Sequence, residues 1–112
     1  MPKVVFLASA RRDLKSIASY ISREAANASV GKNFAARIVA QCNRIGALPG
    51  LMGRDRSDLV TGLRSKTFGN YVIFFRYGDD EGPRSRFVVA NIVYGSRDLD
   101  AYFLDHDNEE EP

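Results

Sequence analysis

Cysteine and histidine occur once each, as Cys42 and His106. A lone cysteine cannot close an internal disulfide, and one Cys with one distant His makes no metal-ligand cluster. No cofactor or metal is therefore expected. Cys42 reads as a small core residue and His106 as a solvated side chain in an acidic segment. No apolar run reaches membrane-spanning length, and Val4–Leu7 near the start is too short for a signal peptide. These absences point to the cytoplasm and to no membrane partner. There is also no Gly-rich phosphate loop and no nucleophile elbow, so nucleotide hydrolysis and serine-type acyl transfer have no support. Glycine is missing from 10 to 30 and proline from 3 to 48, which leaves a long stretch free to be helical.

What is present fits one domain. At 112 residues no second core can be built, so residues 1–104 are expected to fold together. Residues 105–112 read as an acidic, flexible tail carrying Asp105, Asp107, Glu109, Glu110 and Glu111 with no Lys or Arg. The net charge of +2 conceals this asymmetry: without the tail, 16 bases face 9 acids, a formal charge of about +7. Arginine dominates the bases, and its planar donor fork suits carboxylates and phosphates. The body therefore expects an acidic partner, either nucleic acid or an acidic protein segment.

Val4-Val5-Phe6-Leu7 reads as a strand buried on both faces. Ser9 then offers an N-cap to a helix whose apolar positions are Leu14, Ile17, Ala18 and Ile21. Asn27-Ala28-Ser29 marks a joint, with Ser29 capping a second helix striped by Val30, Phe34, Ile38, Cys42 (or Gln41), Ile45 and Leu48 and ended by Pro49-Gly50. Leu63–Phe68 and Tyr71–Tyr77 flank Gly69-Asn70, a two-residue connection suited to a type II′ turn. Tyr71–Tyr77 is apolar on both faces and belongs in the middle of the sheet, and Arg86–Tyr94 is the last strand. A short helical tail, Asp98–Leu104, is expected to follow. The fold class is α+β: β-α-α-β-β-β, a helical hairpin packed on a small, mainly antiparallel sheet.

Three segments in this order carry a resemblance. Gly53-Arg54-Asp55-Arg56-Ser57-Asp58-Leu59 with Gly62-Leu63-Arg64-Ser65, then Tyr71-Val72-Ile73-Phe74-Phe75-Arg76, then Val93-Tyr94-Gly95-Ser96-Arg97-Asp98-Leu99 resemble the RelE/ParE toxin superfamily over roughly residues 4–103. Ala10, Asp13-Leu14, Ile17 and Tyr20-Ile21 match the pattern of its first helix. The "GLRS", "VIFFR" and "GSRDL" segments look more like the ParE branch. The resemblance implies the toxin of a type II toxin–antitoxin system, of the plasmid-stabilisation kind, that inhibits growth by binding DNA gyrase. It implies a hetero-oligomer with a cognate antitoxin, whose acidic, partly disordered segment neutralises the toxin and which carries a DNA-binding domain. The alternative within the same superfamily is a ribosome-dependent messenger-RNA endoribonuclease.

Arg54, Arg56, Arg64, Arg76 and Arg97, with Tyr102 and Phe103, are the candidate residues for binding antitoxin or target. A plainer account makes the arginines a solvated face with local pairs, such as Arg54 or Arg56 with Asp58. Arg76 is the exception, because its place on an apolar central strand predicts a buried guanidinium held by a partner. No catalytic residue is expected in a gyrase inhibitor. If the chain were a metal-free ribonuclease, Arg97 and Tyr102 would be its catalytic residues. Such enzymes usually place an arginine where this chain has Val72, so the group that would stabilise phosphate charge is missing. A basic nucleic-acid-binding module is a weaker third reading, since the exposed aromatics needed for stacking are mostly assigned to the core.

Overall fold

A computed structural model describes residues 3–79 and 81–95. Strand β1 is Lys3–Phe6, helix α1 is Ala8–Ala25 and helix α2 is Ala28–Ala47. Strands β2 (Arg54–Asp55), β3 (Arg64–Phe68), β4 (Tyr71–Gly78) and β5 (Arg86–Tyr94) follow. The sheet order is β1-β5-β4-β3-β2, with β1 parallel to β5 and the other pairs antiparallel. The expected order is thus observed with one addition, the two-residue strand β2 beside β3. The expected Asp98–Leu104 helix and the 105–112 tail lie outside the described residues.

The hairpin β3–β4 turns at Gly69-Asn70. Gly69 has φ 58° and Asn70 is not among the residues of positive φ, which matches a type II′ turn. β4 sits in the centre, as its apolar run predicts. β1 does not lie where its sequence suggested. It is an edge strand, half-buried, because only β5 pairs with it.

Two clusters cover the two faces of the sheet. Ile17, Ile38, Cys42 and Ile45 from the helices meet Ile73, Phe75, Phe87, Val89 and Ile92 on one side. Leu63, Phe74, Ala90 and Val93, with Leu59, Val60 and Val72, form a smaller cluster on the other, under the 56–63 loop. Burial pushes the Cys42 thiol up from 9.0 to about 12. An unfolded thiol ionises first as pH rises above 9, so this group's contribution to stability is whole below pH 9 and is lost between 9 and about 12. Below that window, a thiol reagent should modify the folded chain on the order of a hundredfold more slowly than the denatured chain. Equal rates at pH 8 would show that Cys42 is not packed as described.

Both helix starts differ from expectation for physical reasons. Ser9 does not cap α1; Leu7 is the N-cap residue and makes no side-chain bond. Beyond Val89 the strand β1 no longer pairs with β5, so the outer edge of β5 needs other partners. The Ser9 hydroxyl donates to the Ala90 carbonyl at 2.6 Å, and the Ile92 amide donates to the Asp13 carboxylate at 2.9 Å. Helix α1 thus completes the strand edge with side chains, at a β-bulge where Phe74 pairs with Asn91 and Phe75 with Val89. The Asp13 carboxylate serves this strand edge from the first turns of α1. The cap of α2 is Asn27, whose carboxamide oxygen accepts from the Ser29 amide at 3.0 Å. Ser29 is its donor and not the cap.

Candidate partner-binding surface

The 54–63 segment is held by its own short polar side chains. Asp55 accepts from the Ser57 amide at 2.9 Å and from the Ser57 hydroxyl at 2.7 Å, which holds its carboxyl below the usual range. The Arg56 amide donates to the Leu63 carbonyl at 2.7 Å, closing the loop. Arg56 bonds Asp58 through two parallel contacts of 3.1 Å and lies over the Phe74 ring, 5.9 Å from its centre. That hydrogen-bonded pairing lowers the Asp58 carboxyl as well. The loop therefore lies flat on the sheet and carries Arg54 and Arg56 with it.

Arg64 and Arg76 part company with their expected roles. The Arg64 guanidinium donates to the Met52 carbonyl at 2.7 Å and to the Gly53 carbonyl at 2.9 Å. It ties the chain leaving α2 to β3, and two of its five N–H donors are used inside the fold. Arg76, expected to be buried, is exposed. Its neighbours Phe75 and Tyr77 point to the helices, so alternation sends Arg76 to the opposite face, at an end the 56–63 loop does not cover. Arg76→Met should accordingly change stability by no more than about 0.5 kcal/mol. Arg64→Met, which strands two carbonyls, should cost about 1–2 kcal/mol. Paired thermal melts separate the two, and a larger loss at residue 76 would contradict this assignment.

Register defines the face that Arg76 joins. Arg54 pairs with Ser65, Ser65 with Phe74, and Arg76 with Val88. Arg54, Arg56 and Arg76 are thus brought to one side of the sheet, away from the helices, while Arg64 is not. Val72 lies on this side too, packed against the Phe74 cluster. Arg97, Tyr102 and Phe103 lie outside the described residues.

The helix side carries a second feature that sequence reasoning missed. A groove of about 880 Å³ runs between α1 and the far ends of β4 and β5, lined by Asp13, Ile17, Tyr20, Phe34, Tyr71, Ile92 and Tyr94 among others. Tyr20 is 54% exposed and Tyr94 48%, so two exposed aromatics front this groove. Tyr71 stacks edge-on with Tyr94 at 5.4 Å, and burial raises its phenol, with smaller contributions from Tyr20 and Tyr94. Arg37 lies 5.9 Å from the centre of Phe34 and 5.7 Å from that of Phe68. The signal available in the sequence was Tyr20, at helical spacing but a quarter-turn from the Leu14–Ile21 stripe. Such a groove can seat an apolar segment with aromatic contacts.

A sequence model of the ParE toxin of the type II toxin–antitoxin system parDE matches residues 4–99. The chain belongs to the ParE toxin family. Among curated proteins, none matches it. A solved structure titled as the chromosomal ParDE TA system from P. aeruginosa is similar in fold, with a TM-score of 0.69 at 18% identity, covering 84% of this chain and 96% of that one. For this ParE-family toxin the resemblance seen in the Gly53–Leu59, Tyr71–Arg76 and Val93–Leu99 segments therefore holds, and a toxin of such a system has a cognate antitoxin as its partner. Among the described residues, no helix is long and apolar enough to cross a membrane, and no cluster of His, Cys, Asp or Glu could hold a metal.

Proposed function

We propose that this ParE-family toxin acts in the cytoplasm, stops growth by binding DNA gyrase, and performs no chemistry of its own. An antitoxin with an acidic segment neutralises it. The apolar groove beside α1 would take that segment's hydrophobic anchors, and the arginines Arg54, Arg56 and Arg76 would attract its charge. The carrying observation is Val72, a neutral side chain packed into the Phe74 cluster where the superfamily's ribonucleases need a cation.

Purified chain titrated into gyrase with relaxed plasmid tests this directly. Supercoiling should fall as the chain approaches the enzyme's concentration and recover when antitoxin is added. Unchanged supercoiling at a large excess of chain would contradict the proposal.

A further inference from the structure

The outer side of the helical hairpin carries charge that the fold itself does not use. Helices α1 and α2 hold seven Lys and Arg against two acids, Asp13 and Glu24. All seven bases are exposed, and among the described residues none of them forms an ion pair. Asp13 serves the edge of β5, where it accepts from the Ile92 amide. Glu24 stands four residues after Tyr20, on the groove side of α1. Ala10, Ile17 and Ile21 of α1 face the core, so Arg12, Lys15, Ser19 and Arg23 line its opposite side. Phe34, Ile38 and Ile45 of α2 face the core, so Lys32 joins that outer side and Arg37 and Arg44 flank it. Gly31 lies against Ala18 and Ser22, which sets the two ridges side by side as one surface.

These cations oppose the helices that carry them. Arg11 closes the first turn of α1, which holds no acid, and the helix dipole disfavours positive charge there. Lys15 follows Arg11 by four residues and Arg12 by three, spacings at which like charges on a helix repel. An anion laid over the ridge relieves both effects. We propose that this face binds the phosphate backbone of duplex DNA, whatever its base sequence. The exposed residues among the cations are short, such as Ser19, Asn33, Ala36 and Ala40. Tyr20 and Val30, the large apolar residues exposed on these helices, lie off the ridge by helical period. A lasting contact with an acidic protein segment needs apolar anchors, and a single strand needs aromatic platforms. Phosphate contacts on a duplex need neither. The scale fits as well. Arg12 and Arg23 stand about 16 Å apart along α1, which spans roughly five phosphates of one strand at about 3.4 Å each. The inference holds whatever the toxin's target is, and its test needs no target.

The test titrates a fluorescent duplex of about 20 base pairs and arbitrary sequence with the full chain and two full-length variants. One variant carries Arg12→Gln, Lys15→Gln and Lys32→Gln. The other makes the same change of charge on the sheet face away from the helices, with Lys3→Gln, Arg54→Gln and Arg76→Gln. Arg23 is left unaltered because it also lines the Tyr20–Tyr94 groove. All six substituted side chains are exposed, so the three proteins should melt alike. At about 50 mM salt the unaltered chain should bind with a micromolar Kd that weakens steeply as salt rises. The helix variant should bind on the order of a hundredfold more weakly, with a log–log salt slope shallower by about 2–3. The sheet variant should stay within about threefold of the unaltered chain. No binding by the unaltered chain, or equal losses in the two variants, overturns the proposal. So does tighter binding to the single strand of the same sequence, or to hepta-glutamate, which would assign the face to an acidic protein segment.

Discussion

Gly31→Ala is expected to cost about 3 kcal/mol, the upper end for overpacking, and to lower the melting temperature by roughly 12 °C or more. The backbone of α2 comes close to α1 at this residue. A Cβ built there would run into the Ala18 carbonyl and the Ser22 hydroxyl, and the carbonyl is backbone that cannot rotate aside. The same Ser22 hydroxyl donates to the Ala28 carbonyl at 3.0 Å and accepts from the Gly31 amide at 3.0 Å, which locks the joint between the helices. Added bulk would thus push the helices apart and break the lock together. Asn33→Ala, exposed on the same helix, is the control and should change stability by no more than about 0.5 kcal/mol. Thermal melts of the two variants suffice, and equal melting temperatures would refute the close crossing.

Truncating the two adjacent phenylalanines of β4 should give large but different losses. Phe75→Ala is expected to cost about 4 kcal/mol and Phe74→Ala about 3 kcal/mol. Phe75 is fully buried between sheet and helices, with ring centres 4.6 Å from Phe87 and 5.9 Å from Tyr77. Nothing rigid around it can close the cavity. Phe74 is equally buried but lies under the 56–63 loop and the Arg56 guanidinium, which can settle into the space. Its loss should therefore loosen that loop, and hydrogen exchange at the Arg56 amide, now bonded to the Leu63 carbonyl, should quicken. Exchange unchanged at Arg56 in Phe74→Ala would show that the loop does not depend on this ring.

The contrast between these neighbours explains much of what the sequence could and could not convey. Periodicity located the helices and strands, because Ile17, Ile38, Cys42 and Ile45 fall on stripes and Tyr71–Tyr77 is apolar throughout. The same apolar run hid the fate of Arg76. A strand with Phe on both phases implies two covered faces, but the second cover is a short loop that shields Phe74 and stops before Arg76. Ser9 read as a cap because local rules favour serine there, whereas the short reach of β1 gives it a strand edge to complete. Arg64 looked like part of an arginine surface; its use on two carbonyls depends on where the chain leaves α2, which spacing does not encode. The groove was invisible for a similar reason, since Tyr20 and Tyr94 are far apart in sequence and meet only across the α1–β5 contact.

If this ParE-family toxin acts by holding gyrase and not by cutting RNA, as proposed, one induction experiment separates the two. The chain is expressed without antitoxin while plasmid supercoiling and the integrity of translated messages are followed together over the first minutes. A neutral Val72 in place of a charge-stabilising arginine is expected to lower any phosphodiester cleavage on the order of a hundredfold. Supercoiling should therefore fall and cells should filament while the messages stay intact. Rapid cleavage of translated messages with supercoiling unchanged would rule out gyrase as the target.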